Sequence, residues 1–501
     1  MNLLTDAWIP VQQQGSYQKI GLQQLLCGEA SGELCLPRDD MELAGLQLLC
    51  AITQVLFTPK DKKELGRFVQ QPLTPENYAE ACKSKMDWFD LDHPQTPFMQ
   101  IRGVDAKEPT PMDKLLAGVA DGTNKTFVNP PGLGEALCGG CAAIALFNVA
   151  NNAPSMGGGF KGSLRGSTPI TVLIKGNDLR QTLWLNVLTE ETAESVMPWY
   201  QATNNQRPNY LDTVKAGDKF PASAIGLARG LLWQPAHFEL LPAQKTGICS
   251  CCGCDEPVYR GFKKAKFNYT VEGVWPHPLS SRTFTVKKGE KEERFPSFTT
   301  TAPTWTHLSK LVVDQLDDKQ GQQAAPVLQQ ARTFMTANKI QLIIGGYRNN
   351  QATVLERRHE FFSLAQGWAE HGLVIHKIIE GGLAYKTALR KSLFTFVSGA
   401  LVNPGSKSSR DKISEICGCI EAVYYQQTEH LLHQVFAEVK FAAPDSTLQA
   451  LNRKLKTVVI DLFEQATTPY RQEPKMLKAL ALARRSLHKS LKELEPEGAK
   501  A

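Results

Sequence analysis

No run of apolar residues in this 501-residue chain reaches the ~20 positions that a bilayer-spanning helix needs. One of the longest, Cys141 to Leu146 with Phe147 beyond it, has the length of a core helix. The first residues, MNLLTDAWIPV, lack the basic start and apolar stretch of a secretory signal. Together these absences argue against a membrane span and against export, and imply a cytoplasmic protein. In that setting the twelve cysteines read as thiols or metal ligands rather than as disulfides. Tandem repeats and low-complexity tracts are missing as well. Apolar residues make up 42% and charged residues 21%, ordinary globular usage that excludes wholesale disorder. Charge of one sign is scarce: 56 Lys+Arg face 50 Asp+Glu, a net +6 that permits nucleic acid without demanding it.

Catalytic signatures are also wanting. There is no G-x-x-x-x-G-K-[ST] loop, no H-E-x-x-H and no G-x-S-x-G, and Gly132-Leu-Gly134 lacks the third glycine of a dinucleotide fingerprint. The ten histidines are scattered, with no carboxylate cluster of the kind a metal nuclease uses. These gaps favour a binding protein over a catalyst.

What is present divides unevenly along the chain. Residues 361–501 hold 19 Lys+Arg and 14 Asp+Glu, net +5, whereas the first 360 hold 37 and 36, net +1. The first part is punctuated by Gly and Pro and carries strand-like stretches at Thr168–Lys175 and Arg282–Lys287. The last part has helical periodicity, with helices expected over 362–380, 383–402, 413–441, 446–466 and the C-terminal stretch. There Met476, Leu480, Ala483, Leu487, Leu491 and Leu494 form one apolar stripe, and Lys475, Lys478, Arg485, Lys489 and Lys492 a basic face. The expected fold is α+β: a large, irregular mixed N-terminal domain over 1–362, then an all-α helical bundle over 363–501.

Six cysteines sit in two places, Cys138-Gly-Gly-Cys141 and Cys249-Ser-Cys-Cys252-Gly-Cys254. Two C-x-x-C pairs suit a tetrahedral Cys₄ zinc site, because the short spacing lets two sulfurs approach one ion at ~2.3 Å. Residues 142–248 separate the pairs, so the site would staple distant segments. Spacing alone allows Cys249 with Cys252, or Cys251 with Cys254. Such a closed site is structural.

Three polar constellations suit nucleic acid. Met156-Gly157-Gly158-Gly159-Phe160-Lys161-Gly162-Ser163-Leu164-Arg165-Gly166-Ser167 offers backbone N–H groups to phosphate, or is simply a surface loop. Arg260 to Tyr269 holds four cations, no acid and three aromatics, with Phe267 and Tyr269 on a buried face and Lys266 and Asn268 on the other; Lys287-Lys288 extends the basic theme. Gly345 to Ala352, between apolar runs, reads as a hairpin tip whose amides meet base edges or only make the turn.

These residues carry a resemblance. MNLLTDAWIPV, LPRDDMELA, TFVNPPGLGEALCGGCAAIALFN, GGGFKGSLRG, CSCCG, GGYRNNQATVLERRHE and GLAYKTALRK, in this order, resemble the CasA family, the large subunit of the type I-E CRISPR surveillance complex Cascade. The resemblance implies a C-terminal four-helix bundle and a non-catalytic subunit that reads the protospacer-adjacent motif (PAM) in double-stranded DNA and helps open the duplex for guide RNA pairing. It implies crRNA, the backbone, small and 5′-handle-capping subunits, and an effector helicase–nuclease as partners, and no membrane. By resemblance the family's glycine loop falls on Gly157, Gly158 and Gly159. Its lysine finger falls on Lys266, with Lys263 and Lys264 close by. Its glutamine wedge falls on Gln351, flanked by Asn350 and Ala352. Phe127, Val128 and Asn129 match a loop towards the guide RNA and its capping subunit, and Lys287 and Lys288 a basic stretch that guides DNA. The implied ligands of a structural Zn²⁺ are Cys138, Cys141, Cys249 and Cys252. The alternative reading is a zinc-containing enzyme that modifies nucleic acid through an active site outside the familiar motifs.

Overall fold

A computed structural model describes residues 1–28, 32–119, 132–201, 214–287, 289–317, 319–335, 339–400 and 407–495. The chain forms two compact units. The first comprises Met1–Thr299, Lys310–Phe334 and Gln341–Phe361; the second comprises Thr300–Ser309, Met335–Ile340 and Phe362–Ala501.

The first unit is a mixture of short sheets around two buried helices. Strands β1 (Ala7–Gln13) and β2 (Ser16–Gly21) form a hairpin. Helix α1 (Asp39–Leu56) opens with Asp39, Asp40 and Glu42, which complement the helix dipole. It then buries nearly every side chain, as an all-round apolar helix must. Helix α2 (Gly139–Asn151) is equally enclosed, and it packs on α1 where Gly45 leaves room for Leu34 and Ile144. The core helix expected around Cys141–Phe147 is therefore present.

Four further strand groups matter for the site. Strand β3 (Thr171–Lys175) pairs with the first strand of a later hairpin, while β4 (His237–Leu240) pairs antiparallel with β5 (Gly261–Ala265). Strands β6 (Arg282–Lys287) and β7 (Glu290–Arg294) form a second hairpin. Strands β8 (Ile340–Asn350) and β9 (Thr353–Leu364) form a long third one, with sheet order β9-β8-β3. Antiparallel register Gln341↔Lys175 through Gly345↔Thr171 buries Leu342, Ile343 and Ile344 against β3.

The second unit is helical: α3 (Gly372–Ala400), α4 (Lys407–Glu438), α5 (Asp445–Thr467) and α6 (Leu477–Glu493). The apolar stripe of α6 buries Leu480, Ala483, Leu487 and Leu491, whereas Met476 lies in the 3₁₀ turn Pro474–Met476 that precedes it. Two helices expected over 362–380 and 383–402 are one. The Gly381-Gly382 pair does not break α3, because Gly382 is where the helix yields to the Trp305 indole. Tyr424 then donates to the Gly382 carbonyl at 2.7 Å and seals the spot. The helix begins at Gly372 rather than 362, since Phe362 and Leu364 still belong to β9. No helix among the described residues is long and apolar enough to cross a membrane.

Candidate nucleic-acid interface

Three glycines in succession adopt left-handed backbone: Gly157 at φ +72°, Gly158 at +55° and Gly159 at +91°. Residues with a Cβ lose ~1–2 kcal/mol at each such position, so the sequence needs glycine here for conformation as well as for access. Phe160 donates to the Gly157 carbonyl at 3.0 Å and closes the loop, leaving Gly158 exposed with nothing within 4 Å of a Cβ built on it.

The neighbours of this loop come from the other two constellations. A Cβ on Gly157 would stand 3.4 Å from Ala352 Cβ, and one on Gly159 would stand 3.6 Å from Lys266 Nζ. Lys266 is exposed and follows β5 directly. Lys264 instead sits 5.5 Å over the Phe160 ring and 3.7 Å from Met156 Sδ, and Lys263 lies opposite Glu239 in the β4–β5 register. Phe267 and Tyr269 turn inward, as their alternation with Lys266 and Asn268 required.

Asn350, Gln351 and Ala352 are exposed at the β8–β9 tip, and Gln351 has the left-handed φ of +52°. Asn349 makes the turn: its amide nitrogen donates to the Gln351 carbonyl at 2.5 Å, and its oxygen accepts from Thr168 Oγ1 at 2.7 Å. Glycine loop, Lys266 and hairpin tip therefore share one surface. Lys287 ends β6 at a separate hairpin, opposite Glu290. Lys288, and Phe127, Val128 and Asn129, lie outside the described residues.

Beneath the loop runs a chain of buried hydrogen bonds. Arg165, which follows the glycine loop in the sequence, is buried. It donates to Ser280 Oγ at 2.7 Å, Thr171 Oγ1 at 3.0 Å, Asn152 Oδ1 at 2.8 Å and the Asn151 carbonyl at 2.9 Å. Desolvation pulls its pKa down to about 9, which still leaves the guanidinium charged at neutral pH. From Asn152 the chain continues to Asn148 Oδ1 at 3.1 Å, then from Asn148 Nδ2 to the Tyr347 hydroxyl at 2.7 Å. Tyr347 donates to Asp40, which pairs with Arg38, which donates to the Ala117 carbonyl at 2.6 Å. Loop base, α2, α1 and hairpin strand β8 are thus held in one network. Sequence reasoning missed it; the available signal was three asparagines, 148, 151 and 152, at the end of an otherwise apolar helix.

The cysteine pairs meet on a third element. Leu137–Cys138 pairs with Val258–Tyr259, which brings the two segments together. Ser250 and Ala136 exchange two hydrogen bonds, at 2.7 and 3.1 Å. Cys249 and Cys252 stand on a tight turn closed by Gly253, at φ +75°, donating to the Cys249 carbonyl at 2.9 Å. The sulfurs of Cys138, Cys141, Cys249 and Cys252 all lie within 4.8 Å of one another, and Cys138 and Cys252 are 3.7 Å apart. A tetrahedral ion with sulfurs at ~2.3 Å spaces them ~3.8 Å apart, so the four thiols could hold such an ion. Cys251 is outside this set, and Cys254 groups separately with Cys252 and Glu256. Lys19 Nζ stands 3.2 Å from Cys138 Sγ and pairs with Glu256, placing a cation beside the thiols. Gly139 and Gly140, between the first two cysteines, are helical. A Cβ on either would strike Met1 or the Trp8 backbone.

The family profile described as CRISPR-associated protein Cse1 matches residues 2–462 of this sequence. The chain belongs to the Cse1 family. A CasA/Cse1 protein of Thermus thermophilus is 30% identical over 135 residues, a stretch covering 25% of this chain and 26% of that relative. The Cse1-type fold extends over the full length. The crystal structure of a CRISPR-associated protein from Thermus thermophilus superposes with a TM-score of 0.75 at 18% identity, covering 99% of this chain and 100% of its own. A chain from a CRISPR RNA-guided surveillance complex does so at 0.62 and 15% identity, covering 97% and 99%. Membership of the large-subunit family of Cascade, inferred from the motifs, therefore holds for this Cse1 protein, as does its mixed α+β fold with a helical C-terminal region.

Proposed function

We propose that this protein is the non-catalytic large subunit of a guide-RNA interference complex, and that it reads the PAM in duplex DNA. The observation that carries the reading is the convergence of Gly157–Gly159, Lys266 and Asn350–Ala352 on one surface. Bare backbone at Gly158 admits the duplex, and its neighbours' N–H groups suit phosphate. The ammonium of Lys266 suits the minor groove, which displays mainly acceptors and so tolerates several PAM sequences. The hairpin tip with Gln351 then enters between the first base pairs beyond the PAM, at an unstacking cost of a few kcal/mol per step that neighbouring contacts must offset. Base pairing with crRNA reads the remaining sequence.

The same reading assigns the remaining partners by family: backbone, small and handle-capping subunits, and the helicase–nuclease recruited after opening. Phe127, Val128, Asn129, Lys287 and Lys288 are assigned to guide-RNA and DNA contacts on that basis. Cys138, Cys141, Cys249 and Cys252 hold a structural Zn²⁺. Four thiolates leave no position for a substrate, which argues against a zinc enzyme.

The test is binding of assembled complexes to duplexes with and without a PAM across a salt series. Lys266→Ala lowers PAM-duplex affinity and reduces the slope of log K against log salt by about one. Unchanged affinity and slope would remove Lys266 from the site. Turnover of nucleic acid by the purified chain alone would overturn the non-catalytic assignment.

A further inference from the structure

Beside the proposed DNA-reading surface is a cavity of about 400 Å³. That is within the range of roughly 300–1,000 Å³ typical of small-ligand clefts. One wall is Ala352, Thr353 and Val354, where the chain leaves the hairpin tip; another is Ala153 to Met156, the residues leading into the glycine loop. Leu116 and Val149 contribute aliphatic surface, and Lys114 and Lys264 contribute charge.

The composition of this lining is selective. It holds two lysines and no carboxylate, so it favours an anionic occupant. Beyond those two lysines, and the hydroxyls of Ser155 and Thr353, which contact any base, it holds no side chain that discriminates base edges: no arginine, asparagine, glutamine, aspartate or glutamate. Its apolar surface is aliphatic plus the thioether of Met156, a flexible, polarizable group that adapts to different aromatic faces. A cleft with cationic flanks and adaptable apolar walls accepts a nucleotide without reading which base it carries.

We propose that this cavity receives one unpaired nucleotide of the target DNA, the one released when the hairpin tip splits the duplex. The proposal rests on the PAM-reading function above and adds to it a destination for the displaced base. Sequence tolerance is what such a site requires, because the first position beyond the PAM differs from target to target. Capture in a pocket also offsets the loss of stacking and keeps the split pair from closing again.

The experiment places 2-aminopurine at the first position beyond the PAM, on each strand in turn, and follows its emission in the assembled complex. Wild type gives a PAM-dependent rise in emission on one strand. Ser155→Trp, which fills the cavity, and Met156→Ala, which removes the thioether, change that emission and slow opening about tenfold. Affinity for a PAM duplex with no complementary protospacer stays within about twofold in both variants, since neither residue reads the PAM. If Ser155→Trp fails to assemble, Met156→Ala decides alone. Emission and opening rate equal to wild type overturn the cavity assignment while PAM discrimination in wild type stands. Loss of PAM discrimination in wild type itself overturns the parent reading instead.

Discussion

The Tyr347 hydroxyl donates to Asp40 Oδ2 at 2.8 Å, joining strand β8 to helix α1 across 307 positions of sequence. The same oxygen accepts from Asn148, so one phenol satisfies two buried groups. Tyr347→Phe leaves both without that partner. Unfolding free energy should fall by about 1–3 kcal/mol, measured by urea titration. PAM-duplex affinity should fall as well, with the salt slope unchanged, because no DNA-facing charge is removed. A lowered slope would mean that the hairpin has been displaced altogether.

His277 gives the fold a pH limit. Burial, and secondarily the charge of Arg165, hold its pKa well below the ordinary 6.5. Its Nδ1 accepts from the Leu279 amide at 3.1 Å, which fixes the neutral ring. In the unfolded chain the ring takes a proton as pH drops below about 6.5 and in the folded chain it does not, so stability falls on acidification. The expected loss from this residue is up to about 1.4 kcal/mol per pH unit. Urea midpoints from pH 7.5 to 5 should show a steeper decline in wild type than in His277→Gln.

Much of this was legible in the sequence, and the failures have common causes. The β3 and β6 strands, the buried α2 and the hairpin tip follow from periodicity and turn residues, which act locally. The continuity of α3 through Gly381-Gly382 was not legible, because it depends on Trp305 and Tyr424, distant in sequence. The burial of Arg165 was not legible for the same reason: Ser280, Thr171 and Asn152 gather around it only in the fold. Asn349 belongs to the turn rather than to the display of free amides, a distinction set by Thr168.

Metal content separates the two pairings that spacing allowed. Protein purified without chelator should carry one zinc per chain, measured by mass spectrometry. Cys252→Ser should lose it and unfold at lower temperature, since metal binding in such sites is coupled to folding. Cys251→Ser and Cys254→Ser should retain it, because neither sulfur belongs to the four-thiol cluster. Retention in Cys252→Ser with loss in Cys254→Ser would reverse the assignment.

Gly158 can be tested for conformation and charge separately. At φ +55° with open space around it, asparagine and aspartate are the side chains best tolerated. Gly158→Asn and Gly158→Asp should therefore fold alike, each losing about 1 kcal/mol or less. Gly158→Asn should weaken PAM-duplex binding by bulk alone, and Gly158→Asp further, by repulsion of phosphate. The difference between the two should shrink as salt rises. Equal binding at low salt would place the phosphates away from this loop.

Gln351 combines an exposed side chain with a backbone angle that glycine adopts more easily, φ +52°. A position that keeps glutamine under that strain is a candidate for a side chain used in function. Gln351→Gly should relieve the strain, leaving the isolated protein as stable as wild type or up to about 1 kcal/mol more so. It should also leave PAM-dependent association intact, because Gly157–Gly159 and Lys266 are untouched. Strand separation should slow, because the wedge has lost its side chain while the turn remains. Stopped-flow opening rates beside equilibrium PAM binding distinguish the two steps. Opening at the wild-type rate would show that the backbone of the tip, rather than Gln351, parts the duplex.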